Sequence, residues 1–379
     1  MEKYGTLCVR CLEKEGSDSM PDVKVFNKNG TLNKKLTEIA RDIAKWCIEK
    51  YGLNFDDVHF HLVSLDQEAQ LLATNGWFSY PQSWHVGQEY WVQKRGQELQ
   101  NWMIYEFVQN SGVEGKEPVN AFIYEGDTFT DMKLVIAHVY GHAHVFKNNY
   151  TQRLFKPENP AQFFADFKEF FDECEAKYGE DRVEQIFEIG DALSTLIDIY
   201  PNRVHDLKKL GWKDLNEIER IGRDRETNGL EKLNKRGEKR PKTIPKKDTY
   251  DVFKFLIENS ELEPWEKKLL EYWYNAARFM YAGGIANIIH EGFASTIDSR
   301  YGVENLDLSF GEVFDWIRHR ANGWKGSLDS NPYKLGARLL EYIINSYDSK
   351  LKGWDEVLKI VATNSDHSFI NEYFTQEFY

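Results

Sequence analysis

Two histidines in the stretch "LVIAHVYGHAHVFKNN" have a spacing that suits metal binding. His138 and His142 are four residues apart within a helix-compatible run. Residues at this spacing lie on one face of an α-helix, so both imidazoles can point at the same ion. Catalytic zinc sites use three protein ligands and keep a fourth position open for water. The pair predicts a site for Zn2+ or another divalent transition metal. The alternative is a pair of core histidines bonded to backbone carbonyls.

The third ligand must come from elsewhere in the chain, and Glu291 in the segment "HEGFASTID" is the best candidate. A carboxylate is one of the ligand types that catalytic zinc sites use. Gly292 and Ala294 beside it are small enough to let another helix approach closely. The alternative interpretation is that Glu291 forms a buried salt bridge with Arg278 or Arg300.

Two neighbours of Glu291 are candidates for the same site. Asp298 follows Glu291 by seven residues, which is about two helical turns, so both lie on one helix face. From this position Asp298 could orient a ligand histidine through its second ring nitrogen. An ordinary surface acid is the alternative. His290 adjoins Glu291 but would point away from it, and we expect it to line the cleft.

A hydrolase of this kind also needs a general base, and the usual one is missing. Glutamate zincins carry a Glu directly after the first histidine, whereas this chain has Val139 there. Valine cannot accept a proton, so a carboxylate must come from another element within hydrogen-bond reach. Glu125 is the candidate catalytic residue because it ends the predicted strand just before the histidine helix. It could equally be a turn residue that caps this helix.

Five further residues are candidates for the surroundings of the metal or the walls of a cleft. Trp84 and His85 belong to the aromatic segment "WFSYPQSWHVGQEYW" and could form a cleft wall. Asn148 and Asn149 follow the histidine pair, and Tyr333 in "NPYKLG" could contact an anionic group. The alternative interpretations are aromatic residues of the core and a capping turn.

Composition limits the functional classes that the protein can belong to. The chain has 379 residues, 41% of them hydrophobic, which is ample for a sizeable core. Its formal net charge of −13 argues against a nucleic-acid partner. No segment approaches the roughly 20 apolar residues that span a bilayer. The first residues lack the layout of a signal peptide, so we expect a cytoplasmic protein.

The hydrophobic pattern predicts a mainly α (α+β) fold. It consists of a large helical domain with a small sheet and a zincin-like metal-binding helix pair. The predicted strands are Val58–Leu65 and Val119–Tyr124, and the second should be an edge strand that borders the substrate cleft. Residues Asn101–Gly112 are predicted to form a helix, and helical periodicity dominates from Pro160 onward.

Two polar segments should stand apart from this domain. Residues 1–30 are polar and punctuated by glycine and asparagine, which predicts a flexible N-terminal extension. Residues 222–248 are almost free of apolar side chains, and their lysines and arginines outnumber the acids. This composition predicts a basic flexible insertion. The domain itself should span residues 31–379.

Several motifs occur in an order that resembles the stage V sporulation protein R-like (SpoVR-like) family. They are "AHVYGHAHVFKNN", "HEGFAS" and "NPYKLG", with "WFSYPQSWHVGQEYWVQK" and "NAFIYEGDTFTDMKLV" upstream and "SFINEYFTQEFY" at the end. "HEGFAS" is also similar to the "NEGFA" segment that supplies the zinc-binding glutamate of gluzincin aminopeptidases. The resemblance implies a link to spore cortex formation. The chain departs from the family at His290, where asparagine is common.

Two functional hypotheses follow from these residues. The first is a zinc-dependent hydrolase that acts on an amide of a peptide-like or cell-wall-related substrate, with Glu125 moving protons. The second is a non-catalytic protein in which the metal braces the helices, a scaffold or regulator linked to sporulation or stress that recruits an unknown protein partner. Val139 favours the second hypothesis, whereas a set of only three ligands favours the first.

Overall fold

The computed structural model describes residues 20–100, 106–198, 251–306 and 309–379. Residues 1–19 of the predicted extension and the predicted insertion at 222–248 lie outside these ranges. The rest of the predicted extension contributes to the fold, because Val23–Phe26 forms a strand whose valine side chains are fully buried. Among the described helices, none is both long enough and apolar enough to cross a membrane.

Helices dominate the described residues, and four strands form one mixed sheet. The strands are β1 (Val23–Phe26), β2 (Val58–Val63), β3 (Glu106–Val108) and β4 (Val119–Tyr124). The helices, numbered in chain order, are α1 (Lys34–Tyr51), α2 (Leu65–Ala73), α3 (Trp84–Gln100), α4 (Phe129–Asn148), α5 (Tyr150–Leu154), α6 (Pro160–Tyr178), α7 (Glu180–Leu193), α8 (Val252–Asn259), α9 (Pro264–Gly284), α10 (Asn287–Asn305), α11 (Phe310–Gly323), α12 (Pro332–Asn345), α13 (Lys350–Thr363) and α14 (Asp366–Tyr373). The predicted mainly helical protein with a small sheet is confirmed.

The sheet has the strand order β1-β2-β4-β3. Strand β2 pairs in parallel with β1 and β4, whereas β3 runs antiparallel to β4, with Glu106 opposite Ile123. Two predictions about this region are wrong. Strand β4 is not an edge strand, because β3 covers its outer side. The expected helix at Asn101–Gly112 contains β3, since pairing with β4 overrides the local helical pattern.

The chain divides into two compact units. The first comprises Met1–Gln152, Pro157–Ala165 and Gly283–Tyr379, and it contains the sheet and α4. The second comprises Arg153–Lys156 and Asp166–Ala282. Aromatic side chains fill the core of the second unit, where the indole N–H of one tryptophan donates a hydrogen bond of 2.7 Å to a backbone carbonyl.

Helix α4 is buried over most of its length and packs against helices and strands of the first unit. The side chain of Thr128 accepts a hydrogen bond of 3.1 Å from the backbone N–H of Asp131, which caps the helix. The carboxylate of Asp131 lies in the first turn, where the helix dipole favours a negative charge. Nearly all residues from Thr130 to Val145 are buried. This agrees with a sequence that is apolar around the whole circumference of the helix.

Small residues allow α10 to pack closely against α4 and α12. A Cβ atom at Gly141 of α4 would lie 2.6 Å from the Cα atom of Ala294 on α10. A Cβ atom at Gly292 of α10 would likewise collide with the backbone of Gly336 on α12. The expectation that Gly292 and Ala294 permit close helix approach is therefore confirmed.

Candidate metal centre

The two histidines of α4 face one carboxylate oxygen of α10. His138 and His142 lie one turn apart and are buried, with ring centroids separated by 4.7 Å. Glu291 Oε2 lies 3.5 Å from the Nε2 atom of each histidine. The structure thus brings the three predicted ligands together, on two helices that approach each other closely.

The two arginines that are alternative partners of Glu291 each lie near an aromatic ring. The guanidinium group of Arg278 lies 3.8 Å from the ring centroid of Phe155. The guanidinium group of Arg300 lies 5.5 Å from the ring centroid of Tyr51. Each arginine therefore stacks on an aromatic ring, a favourable arrangement for a guanidinium group, and the histidines face Glu291 instead.

A second carboxylate reaches the histidines from the sheet. Glu106 at the start of β3 places its Oε1 atom 3.6 Å from Nε2 of His138. Glu106, His138 and His142 each offer a ligand atom within 4.8 Å of the other two. Together with Glu291, these four side chains form the candidate metal centre. Sequence reasoning missed Glu106, and the only signal was its place in "IYEFV", a run typical of strands.

Asp298 contacts the other ring nitrogen of His138. Its Oδ2 atom lies 2.8 Å from Nδ1 of His138, and both side chains are 5% exposed. Burial alone would raise the pKa of Asp298, but the hydrogen bond to His138 and its charge hold it below the usual range. A carboxylate at Nδ1 keeps a proton there, which leaves Nε2 to face Glu291. This is the contact that the spacing of Asp298 predicted.

His290 contacts the other ring nitrogen of His142. The two Nδ1 atoms are 3.1 Å apart. Burial, followed by the charge of His142, lowers the pKa of His290 to about 3, so its ring is neutral at physiological pH. With Nε2 of His142 facing Glu291, we assign the proton of His142 to Nδ1, from which it is donated to His290. The second histidine is thus held by an imidazole, not by a carboxylate.

The two glutamates of the candidate metal centre are in opposite electrostatic situations. Burial raises the pKa of Glu106, and the nearby charge of Glu291 adds to this shift. Burial would also raise the pKa of Glu291, but the charge of His142 and the contacts with both histidines lower it far below the usual value. Glu291 is therefore a permanent anion, whereas Glu106 accepts a proton more readily.

Tyr333 covers the outer face of His138. The two rings are nearly parallel, with centroids 6.0 Å apart and an interplanar angle of 19°. Burial raises the pKa of Tyr333 strongly, and the charges of Glu291 and Glu106 raise it further. The phenol therefore stays protonated. It can donate a hydrogen bond, but it cannot act as an anionic ligand as a carboxylate does. Of the predicted surrounding residues, Tyr333 joins Asp298 and His290 at the centre.

The candidate metal centre contains polar atoms that lack partners. Nε2 of His138 and Oε2 of Glu291 are buried and make no hydrogen bond to any described residue. Unsatisfied buried polar groups are costly and indicate a missing water or ion. Two imidazole nitrogens and one or two carboxylate oxygens form a ligand set that Zn2+ and similar divalent transition metals prefer. The residues present therefore fit such an ion.

The structure does not bring Glu125, the predicted base, into this cluster. Glu125 directly follows β4. Its Oε1 atom accepts a hydrogen bond of 2.9 Å from Nζ of Lys28, which lies in the segment after β1. Its side chain is 41% exposed and lines a surface groove with Asn29 and Leu62. In the strand order, β1 lies at one edge of the sheet and β3 at the other. Glu125 therefore lies toward the β1 edge, paired with Lys28, whereas Glu106 lies on the opposite edge.

The two asparagines after the histidine helix bind backbone carbonyl groups. The side-chain amide of Asn148 donates a hydrogen bond of 2.7 Å to the carbonyl of Asn54. The amide of Asn149 donates to the carbonyls of Val361 (2.6 Å) and Asn364 (2.9 Å) at the end of α13. These contacts satisfy carbonyl groups at a helix end and beside a strand, so both residues stabilise the fold around α4.

Trp84 and His85 lie at the N-terminal end of α3. Their rings stack on each other with centroids 3.7 Å apart. Trp84 is 51% exposed, so it is not a core aromatic residue. The predicted cleft wall at this position stays a prediction.

These features define a class of protein: a mainly helical α+β protein in which two close-packed helices and an edge strand bring two histidines and two glutamates together. A family model described as SpoVR like protein matches residues 31–379, and the chain belongs to this family. It is 27% identical over 275 residues to the uncharacterized protein YcgB of Escherichia coli (strain K12), an alignment that covers 64% of this chain and 50% of that protein. The chain thus spans about half the length of this curated relative. No solved structure matches the chain.

Proposed function

We propose that the protein is a metal-dependent hydrolase that acts on an amide bond, with Zn2+ or a similar ion held by His138, His142 and Glu291. The observation that carries this proposal is the convergence of two Nε2 atoms and two carboxylates in one buried cluster. A divalent cation in such a site polarises a carbonyl group and lowers the pKa of water. The further steps depend on the side chains around it.

Glu106 is the residue that we assign as general base. Val139 is fully buried and apolar, so α4 cannot supply a proton acceptor at that position. Glu106 approaches from β3, and its Oε1 atom lies 3.6 Å from Nε2 of His138. Its raised pKa suits a carboxylate that takes a proton from water and returns it to a leaving amine. Glu291 has a lowered pKa, which suits a permanent ligand.

The remaining residues of the site orient the ligands and donate a hydrogen bond. Asp298 and His290 hold the Nδ1 atoms of the two histidines and so direct both Nε2 atoms to one point. Tyr333 keeps its phenolic proton and can donate it toward negative charge that develops on a substrate oxygen. We propose a peptide-like or related cell-wall amide as the substrate and the cytoplasm as the place of action.

A second candidate function has one specific observation in its favour. Glu106 offers a ligand atom within 4.8 Å of those of the two histidines. If Glu106 binds the ion together with Glu291, the site has four protein ligands, as structural zinc sites do. The metal would then brace α4, α10 and β3, and the protein would act as a scaffold or regulator for a protein partner.

Replacing Glu106 separates these two functions. The full-length protein and the Glu106→Gln variant are purified, analysed for metal content, and assayed against a panel of peptides and other amides. A general base predicts that Glu106→Gln keeps its metal but loses about 100-fold to 10,000-fold in turnover. If Glu106 is a fourth ligand, we expect the variant to lose metal affinity and the wild-type protein to hydrolyse no amide of the panel.

Glu125→Gln is the matched control for this experiment. It makes the same chemical change at an exposed glutamate that pairs with Lys28 on the surface. We expect its metal content and turnover to equal those of the wild type. If Glu125→Gln abolishes turnover while Glu106→Gln does not, the assignment of the base to β3 is wrong.

A further inference from the structure

Helix α11 presents three consecutive basic residues to the helices of the candidate metal centre. Arg318 contacts Asp131 in the first turn of α4, and His319 Nδ1 lies 3.6 Å from Asp131 Oδ1. Arg320 turns to the other helix, where its Nη1 atom lies 3.4 Å from Oδ1 of Asp298. The two arginines of this segment therefore contact different carboxylates on different helices.

Asp298 is held at both of its oxygens. Oδ2 faces Nδ1 of His138 at 2.8 Å. Oδ1 accepts a hydrogen bond of 3.0 Å from the hydroxyl of Ser299, and Arg320 contacts both Oδ1 and that hydroxyl. Arg320 also donates a hydrogen bond of 3.2 Å to the backbone carbonyl of Ser295. A carboxylate bound at both oxygens cannot rotate, so it presents a single acceptor direction to the imidazole.

Arg320 is itself fixed in place. Its guanidinium group lies 4.0 Å from the ring centroid of Trp324, the residue directly after α11. The side chain of Arg320 is 23% exposed and that of Asp298 is 5% exposed, so solvent screens their interaction only weakly. The series of contacts runs from the Trp324 ring through Arg320 and Asp298 to His138.

We propose that Arg320 is a positioning residue of the metal centre. It fixes Asp298, and Asp298 in turn fixes the ring of His138 so that Nε2 faces Glu291. Arg320 touches neither His138 nor Glu291 in the described contacts, so it acts through Asp298. This inference rests on the proposed metal function, and it adds a residue on a third helix to the two helices that carry the ligands.

Arg318 is a natural control because it shares the helix and the side-chain type. Its partner Asp131 lies seven residues before His138 and caps α4 with Thr128. Removing Arg318 affects the end of the helix, whereas removing Arg320 affects the group that touches a ligand. The side chain of Arg318 is also more exposed, at 44%.

The experiment compares three variants of the full-length protein: Arg320→Met, Arg320→Lys and Arg318→Met. Metal-free protein is titrated with Co2+ and with Zn2+, and the dissociation constants and the visible absorption of bound Co2+ are measured. We expect Arg320→Met to bind Zn2+ about 10-fold to 100-fold more weakly and to shift the Co2+ absorption bands, because the direction of one ligand changes. Arg320→Lys, which keeps the charge, should recover most of the affinity. Arg318→Met should match the wild type in affinity and spectrum.

A readout without metal separates this inference from the proposed function. Ring nitrogen chemical shifts of 15N-histidine report the tautomer and hydrogen bonding of His138 in the metal-free protein, with His138→Gln as the assignment variant. We expect Arg320→Met to move the His138 signals and Arg318→Met to leave them unchanged. A wild-type protein that binds neither Co2+ nor Zn2+ would refute the proposed function, and unchanged His138 signals in Arg320→Met would refute the inference.

Thermal denaturation of each metal-free variant shows whether it is folded. If Arg320→Met does not fold, Ser299→Ala takes its place, because it removes the hydroxyl that donates to Oδ1 of Asp298. We expect Ser299→Ala to weaken Zn2+ binding in the same direction by a smaller factor. Wild-type affinity and an unchanged Co2+ spectrum in Ser299→Ala would then overturn the positioning role.

Discussion

His138 and His142 lie one turn apart on the same helix, yet their second ring nitrogens meet opposite kinds of partner. Asp298, a carboxylate supported by an arginine, binds Nδ1 of His138. His290, a neutral imidazole in an apolar setting beside Phe146, contacts Nδ1 of His142. A carboxylate partner makes an imidazole more basic and fixes it more firmly than a neutral partner does. Helical spacing therefore pairs the histidines, whereas tertiary packing makes them unequal.

The largest effect is expected when both histidines are replaced. In the double variant His138→Ala/His142→Ala we expect the metal content to fall from about one equivalent per chain to none, because only carboxylates remain. Elemental analysis of the purified protein measures this. His144→Ala is the control on the same helix, since His144 accepts a hydrogen bond of 2.9 Å from the backbone of Asn54. It should keep its metal. A double variant that retains a full equivalent would place the ion elsewhere.

The next largest effect is expected when only the carboxylate partner of His138 loses its charge. Asp298→Asn keeps the shape of the side chain but removes the charge that holds the proton on Nδ1 of His138. We expect Zn2+ affinity to fall about 10-fold to 100-fold, as is typical when the carboxylate partner of a metal-binding histidine is lost. Competition with a chelator of known affinity measures the change. An affinity equal to that of the wild type would mean that the carboxylate is dispensable.

A smaller effect is expected on the neutral side. His290→Asn places an amide oxygen where a ring nitrogen accepts the proton of His142, so the hydrogen bond can be retained. We expect the loss in Zn2+ affinity to be less than about 10-fold, below the range for a carboxylate partner. The same competition assay tests this. If His290→Asn weakens binding more than Asp298→Asn does, the ranking of the two partners is reversed.

The lowered pKa of His290 predicts that the stability of the protein depends on pH. Its pKa is about 3 in the folded protein and about 6.5 when the chain is unfolded. Between these values the unfolded chain binds more protons, so the free energy of unfolding falls as pH drops below 6.5. At pH 5 this amounts to about 2 kcal/mol relative to pH 7. Urea denaturation of metal-free protein at both pH values measures the difference, which His290→Asn should reduce by that amount. An equal pH dependence in both proteins would show that folding does not lower the pKa of His290.

The smallest expected effect concerns the ring that covers His138. Tyr333→Phe keeps the stacking contact and removes only the hydroxyl group. We expect Zn2+ affinity to change by less than about threefold, since the hydroxyl is not a ligand. If the protein is a hydrolase, turnover should fall while the affinity stays the same. A loss of affinity equal to that in Asp298→Asn would mean that the phenol orients the ligands directly.

The sequence allowed the helical half of the candidate site to be predicted, because helical geometry converts spacing into direction. His138 and His142 follow from an interval of four residues, and an interval of seven places Asp298 on the same face as Glu291, the carboxylate that small neighbours single out. The structure brings these residues into contact. The same rule does not say which side chain reaches Nδ1 of His142. His290 was expected to line a cleft, and its contact with His142 depends on the rotation of α10 against α4.

The strand half could not be predicted, because strand pairing depends on partners outside the local sequence pattern. Glu106 comes to the histidines only because β3 pairs with β4 and forms the edge of the sheet. The local pattern around Glu106 predicts a helix, and a helix gives no reason to place Glu106 near α4. Glu125 was chosen for its nearness in sequence to α4. Its direction is determined by the turn after β4, and this turn points it to Lys28.

The glycine contacts between the helices have a consequence for the ligands themselves. At Gly141 and at Gly292 the neighbouring backbone occupies the space that a methyl group would need. A methyl group at Gly141 would push α4 away from α10 and so increase the distance between Glu291 and the two histidine rings, whereas one at Gly292 would push α10 away from α12. Residues without a charge, a donor or an acceptor thus act as spacers that set how closely the helices approach each other.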